Sequence, residues 1–370
     1  MSTILDYVKK YFYLPEPHRS SLVRRRIFHQ FPFLSGSYDY YLSRKYNLKN
    51  IFEIFHKKTK KSPHTGHYIT AIPAYGAGLG HVLAEWNTGL IWAVKLNLQY
   101  AYCCLPNYWD NYMNLGNNTI SCLSLMDSDV LTVRLPKSDF SGEPSKDPKI
   151  MNIIKAYEHI SPVLFILYDG QNSFVQYETV EILRRKYFGA SKRSSVYDHD
   201  LNKKINIAVH IRRADEFDKK NSSHLLDPDN PDAKRRFLPY DYFLQVCKIL
   251  EEIIDKNLIS FNIFSVVGQD ELSEFFELTN VRFFLNCDAR ETFNSIVMSD
   301  VLVLSPSGFS FNAGMISKGA KIFPYPWWHD VPDNHEWCRL DIQRESINKI
   351  KVIEFITNFL NNREERNQDG

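Results

Sequence analysis

Residues 207–215 read Ile-Ala-Val-His-Ile-Arg-Arg-Ala-Asp, an apolar strand that ends abruptly in His210, the adjacent Arg212 and Arg213, and Asp215. Ligands of open α/β sheets bind outside the carboxyl ends of the strands. Guanidinium forks match phosphate oxygens, so the pair reads as a site for a phosphorylated ligand, with a solvated surface loop as the plainer alternative. A second apolar run, 301–304, passes into Ser305-Pro306-Ser307-Gly308-Phe309-Ser310 and then a helix expected over 312–318. Amides and hydroxyls at such a helix start can cradle a phosphate. A third turn holds Gly76, Gly78, Gly80 and His81, where backbone could approach a ligand closely. Its glycine spacing fits neither the dinucleotide fingerprint nor a P-loop.

These turns need strands and helices to hold them. Residues 67–73 read as a strand and 81–98 as a helix, with a further strand at 160–168. The polar stretch 191–204 reads as a boundary. Beyond it, strands are expected at 205–211, 261–267, 281–285 and 301–304, and helices at 271–278, 291–298 and 347–360. Phe243, Val246, Cys247, Leu250, Ile253 and Ile254 form the stripe of an amphipathic helix just after Pro239. Alternation of this kind specifies the α/β class. The expected architecture is two Rossmann-like αβα domains facing a cleft, over 63–203 and 204–330. A basic, aromatic segment over 1–62 precedes them and a C-terminal extension with a helix over 331–370 follows.

At 370 residues with 44% hydrophobic and 24% charged, the composition is globular and excludes a disordered or fibrous chain. No run reaches the 18 or so apolar residues of a membrane span, and the first ten residues already carry charge, unlike a signal peptide. The six cysteines form no CxxC pair, which points to reduced thiols and a cytoplasmic setting. Charge is unevenly spread. Residues 1–61 carry 13 Lys and Arg against four Asp and Glu, while the other residues carry 32 against 39. The basic leader suggests peripheral contact with an anionic membrane; a solvated lobe of the first domain is the alternative. A nucleic-acid partner is not expected, because the leader lacks regular Arg and aromatic spacing.

Taken together, His210-x-Arg212-Arg213-x-Asp215, the Ser307-Gly308-Phe309-Ser310 turn and the Gly78-Leu79-Gly80-His81 turn resemble the α1,2-, α1,6- and protein-O-fucosyltransferase superfamily. Residues 238–243, 264–270 and 319–328 are similar to the segments that lie between and after those motifs in that family. The sequence departs from the pattern at His81, at Gly308 inside the usual Ser-Ser pair, at Ala214 and at Asn312-Ala313.

The resemblance implies a GT-B fold, with the acceptor at the first domain and a nucleotide-sugar donor held mainly by the second. It implies an inverting transfer of L-fucose from GDP-β-L-fucose to a hydroxyl of a glycan, without metal or other cofactor. Consistent with that, no DxD motif stands at a strand end, so cations and dipoles must meet the leaving-group charge. Arg212 is then the residue for the β-phosphate, and Arg213 either assists it or holds the strand end against Asp215. His210 meets the ribose or phosphate side of the nucleotide, or is a structural histidine. Gly78, Gly80, His81, Ser307, Gly308, Phe309 and Ser310 complete the donor site. The general base is one of Asp215, Glu216 and Asp218. Trp327 and Trp328 either stack on the acceptor sugar or pack in the core. The same fold with another donor, GDP-mannose or a rhamnose nucleotide, and a non-catalytic glycan- or nucleotide-binding module are the rival readings.

Overall fold

The computed structural model describes residues 66–368 apart from 73–77, 105–106, 129, 137, 139–142, 160–161, 169–175, 191–203, 215–226, 228, 328, 333 and 345. The chain forms two compact units, the first including residues 85–173 and the second residues 75–84 and 174–370. Each is built on a wholly parallel sheet, as the α/β reading expects.

In the first unit, strands β1 (His67–Ile72), β2 (Gln99–Tyr100), β3 (Leu131–Arg134) and β4 (Val163–Tyr168) lie in the order β2-β1-β4-β3. The central strands read HYITAI and VLFILY, near-continuous apolar runs, because a parallel sheet is covered on both faces. Ile69, Phe165 and Leu167 pack with Trp92 on one side, while Tyr68, Leu164 and Ile166 pack with Cys122 and Leu125 on the other. Trp92 lies on helix α1 (Leu79–Lys95), which follows the glycine turn as expected. Helices α2 (Asn107–Met113), α3 (Cys122–Asp127) and α4 (Pro148–Ala156) complete the unit. Helix α4 starts within a polar stretch of the chain. Asp147 caps it by accepting from the Lys149 amide at 2.9 Å, and Pro148 occupies its first position.

Among the described residues the sheet of the second unit has six strands: β5 (Ile205–His210), β6 (Ile259–Ser265), β7 (Val281–Leu285), β8 (Val301–Val303), β9 (Ala320–Tyr325) and β10 (Trp337–Asp341). Their order is β10-β9-β8-β5-β6-β7. From β5 the chain builds outward to β7, then returns to place β8 on the other side of β5. The order therefore reverses between β5 and β8, and the carboxyl ends of those two strands flank the crevice where such sheets take ligands. One sheet face carries Ile207, Val209, Phe261, Ile263 and Val303, packed with Phe243, Val246, Cys247 and Leu250 from α7 (Tyr240–Ile253), the amphipathic stripe read from sequence.

Helices α5 (Val180–Phe188), α6 (Pro231–Arg236), α8 (Ala289–Val297), α9 (Gly308–Ile316) and α10 (Lys349–Gln368) fill out the second unit. Residues 269–277, expected within an α-helix at 271–278, form a tighter 3-10 stretch with a kink at Leu272. Helix α9 starts four residues before its expected position, because Ser307 caps it: its hydroxyl accepts from the Ser310 amide at 3.1 Å. Residues 337–341, placed by sequence within an extension, are the edge strand β10, paired with β9 from Trp337↔Lys321 to Asp341↔Tyr325. All six cysteines are free thiols.

Candidate functional site

At the carboxyl end of β5 every backbone group from the His210 carbonyl to the Arg212 carbonyl has a partner. Where the ladder stops, side chains continue it. Ser305, two residues past the end of β8, donates its hydroxyl to the His210 carbonyl at 2.6 Å and accepts from the Arg212 amide at 2.8 Å. The Ile211 amide donates to the Phe264 carbonyl at 2.9 Å, and the Ser265 hydroxyl donates to the Ile211 carbonyl at 2.9 Å. The Arg212 carbonyl accepts from Nη1 of Arg213 at 2.8 Å. A ligand at this strand end therefore meets side chains rather than spare main-chain groups.

Beside it, two helix starts abut. The first turn of α1 presents Gly80, and a Cβ there would lie 2.5 Å from the Gly308 carbonyl carbon. A Cβ on Gly308 would lie 3.1 Å from the Gly80 Cα. These glycines, read from sequence as room for a ligand, are thus first of all room for each other. Asn312 ties the two turns, donating from Nδ2 to the Gly308 carbonyl at 2.7 Å and to the Gly80 carbonyl at 3.3 Å. Among the described residues the amides of Gly308 and Phe309 have no acceptor. They are the first two amides of α9, where the helix dipole favours an anion.

The opposite end of α9 is held by charge. Nε of Arg184 donates to the Met315 carbonyl at 3.0 Å and Nη2 to the Ser317 carbonyl at 2.8 Å, a cation on the carbonyl end of the helix. Arg184 also pairs with Glu336 at 2.6 Å, and the fully buried Lys321 reaches the same carboxylate at 3.0 Å. Burial pushes Lys321 down, against the pull of Glu336, to about 8. Burial pushes Glu336 up, but the hydrogen bond from Arg184 and the charge of Lys321 outweigh it and bring it to about 2.

His210 is buried, and its Nδ1 shares a hydrogen bond of 2.5 Å with the Ser310 hydroxyl. Burial, then the neighbouring Arg212 charge, push its imidazole down to about 3. At neutral pH it is an uncharged ring, able to donate from one nitrogen and accept at the other. Phe309 lies beside it, ring centroids 5.4 Å apart. His329 is similar: stacked on Phe311 at 4.3 Å, pushed down to about 4 by burial and then by His81. Arg213 lies with its guanidinium carbon 4.0 Å from the Tyr240 ring centroid, and the Tyr240 hydroxyl donates to Glu271 at 3.3 Å.

The structure thus brings His210, Arg212, Ser307, Gly308, Phe309, Ser310, Gly80 and His81 into one unit, with Gly78 opening α1 by accepting from the His81 amide at 3.0 Å. His81 is exposed. Trp327 is buried at 7% exposure, so its ring packs within the unit instead of offering a face to a sugar. Asp215, Glu216, Asp218 and Trp328 lie outside the described residues, as does the basic leader. Ser305, Tyr240, Ser265 and Asn312 were not singled out as site residues. Ser305 had a signal, being the first polar residue after an apolar strand; the others act through tertiary neighbours that no local pattern shows. Among the described residues, no three of His, Cys, Asp or Glu gather as metal ligands would, and no helix is long and apolar enough to cross a membrane.

No protein-family model matches the chain, and no curated protein sequence does. Among solved structures, it is similar to POFUT1 in complex with GDP-fucose at 9% identity and a TM-score of 0.41, over 72% of this chain and 99% of that one. It is also similar to the E. coli heptosyltransferase WaaC with ADP, at 8% identity and a TM-score of 0.38, over 79% and 99%.

Proposed function

We propose that the chain is a glycosyltransferase that moves L-fucose from GDP-β-L-fucose to a glycan hydroxyl, with inversion and without a metal. The observation that carries the proposal is the corner at the β5–β8 reversal. There Ser305 holds the Arg212 amide, and a neutral His210 bonded to Ser310 lies by the start of α9, whose first two amides have no acceptor among the described residues. That set of donors suits a diphosphate, and the motifs that compose it are the ones that resemble the fucosyltransferase superfamily.

In this reading the acceptor oxygen attacks C1 of the fucose from the face opposite GDP. The C1–O bond to the β-phosphate breaks, its electron pair stays on the phosphate oxygen, and the β-linked sugar becomes α-linked. Arg212 and the α9 amides meet that growing charge, and a preorganised donor of this kind is worth about 3 kcal/mol. The neutral His210 binds by hydrogen bonding without adding a charge of its own. The acceptor proton passes to a carboxylate, for which Asp215, Glu216 and Asp218 are the candidates. We assign the enzyme to the cytoplasm, with residues 1–61 as the face that meets an anionic membrane.

The test is a panel of sugar nucleotides incubated with a glycan array in EDTA and read by mass spectrometry. Transfer of a deoxyhexose from GDP-fucose supports the reading. Transfer only from UDP or dTDP sugars, or none without added Mg²⁺ or Mn²⁺, contradicts it.

A further inference from the structure

The two adjacent arginines differ in what their side chains do for the main chain: Arg213 bonds the Arg212 carbonyl and lies on the Tyr240 ring. We propose that Arg213, Tyr240 and Ser305 are positioning residues that fix the main chain of Arg212, and that Arg213 is not a donor ligand. This rests on the functional reading above for the role of Arg212, but the clamp itself is a statement about the chain.

Arg212 stands two residues beyond the last residue of β5, where no neighbouring strand fixes its φ and ψ. Its amide and its carbonyl are nonetheless both held by side chains. Ser305 grips the amide at 2.8 Å and, through the same oxygen, the His210 carbonyl at 2.6 Å, so one hydroxyl locks the chain on both sides of Ile211. Arg213 folds back to grip the carbonyl at 2.8 Å. A long side chain makes such a backward contact durable only if something fixes its plane. The Tyr240 ring does so from 4.0 Å, and Tyr240 is in turn anchored on the first turn of α7, with Phe275 against its edge at 6.5 Å. With its face on Tyr240 and one edge on its own chain, the Arg213 guanidinium is committed to the protein. Ser305 continues β8 and Tyr240 opens α7, so elements on two sides of β5 converge on one residue. A misplacement of about an ångström at a charge-stabilising group costs on the order of a hundredfold in rate, which gives such a frame its use.

Two readouts on the full chain test the proposal. The first is hydrogen exchange of the peptide spanning 207–214 in the wild type, Ser305→Ala, Tyr240→Leu and Tyr240→Phe. Exchange is expected to rise in Ser305→Ala and Tyr240→Leu and to stay at the wild-type level in Tyr240→Phe, which keeps the ring. The second is steady-state kinetics with GDP-fucose and calorimetry with GDP. Tyr240→Leu and Arg213→Ala are expected to lower kcat by roughly ten- to a hundredfold while GDP affinity stays within about threefold. Ser305→Thr, which keeps the hydroxyl, is expected to recover most of what Ser305→Ala loses. Unchanged exchange in Tyr240→Leu overturns the clamp. A tenfold or greater loss of GDP affinity in Arg213→Ala also overturns it, by making Arg213 a ligand. If the wild type turns over no GDP sugar, the functional reading fails, and the exchange measurement still decides the clamp by itself.

Discussion

In the proposed transfer, Arg212 and His210 divide the work at the strand end by charge. Arg212 brings a fixed positive charge, whereas burial keeps His210 neutral, so the site gains a hydrogen-bonding ring without a second cation. Arg212→Ala is expected to lower turnover by about a hundred- to a thousandfold while leaving the thermal transition in place, and Arg212→Lys is expected to recover little, because a point charge does not reproduce a planar fork. Turnover assays beside a melting curve check both. The buried histidines also set an acid limit on stability. His210 near 3 and His329 near 4 both sit below the ordinary value, so the unfolded chain binds more protons than the folded one as pH falls. Their contribution is whole above about pH 6.5 and is lost as pH falls toward their folded values, by about 2 kcal/mol for each histidine at pH 5. His329→Phe keeps the stack on Phe311 and removes one titrating group. Its urea unfolding energy is expected to drop less between pH 8 and pH 5 than that of the wild type, and an equal drop contradicts the assignment.

The elements that matter most are the two helix starts, and they are held at contact distance by a pair of glycines. Gly80→Ala puts a methyl 2.5 Å from backbone that cannot step aside, whereas Gly308→Ala meets its neighbour at 3.1 Å. Gly80→Ala is therefore expected to cost about 1–3 kcal/mol in denaturant unfolding and Gly308→Ala clearly less; the reverse order contradicts the packing account. Both glycines were visible in the sequence, but their reason was not. A glycine in a turn after a strand looks the same whether it admits a phosphate or another helix, and only the tertiary contact tells. The strands β5, β6 and β7 and the helix α7 were legible because apolar runs and a 3.6-residue stripe are local. Strand β10 was not, since Trp337, Arg339 and Asp341 do not look like a buried run and an edge strand needs only one covered face. The short helices α4 and α6 were hidden for a similar reason: each is announced by a cap, Asp147 or Asn230, inside a polar stretch. The Arg184–Glu336–Lys321 cluster, spread over some 150 residues of chain, could not be read locally at all.

At the scale of the whole chain, charge is divided between a basic segment over residues 1–61 and an acidic remainder. The 13 Lys and Arg within residues 1–61 are expected to bring the protein down with anionic liposomes at low salt and release it at high salt, since such contacts fade beyond a Debye length of about 8 Å. Equal recovery in the supernatant at both salt levels contradicts membrane contact and leaves the leader as a solvated part of the chain. Whether the corner between β5 and β8 holds a guanosine diphosphate is decided by calorimetric titration of GDP into the wild type and Arg212→Ala in the presence of EDTA. The account predicts that GDP binds the wild type without metal, that UDP does not compete, and that Arg212→Ala weakens GDP at least tenfold. Equal GDP affinity in the two proteins, or binding of UDP alone, would contradict it.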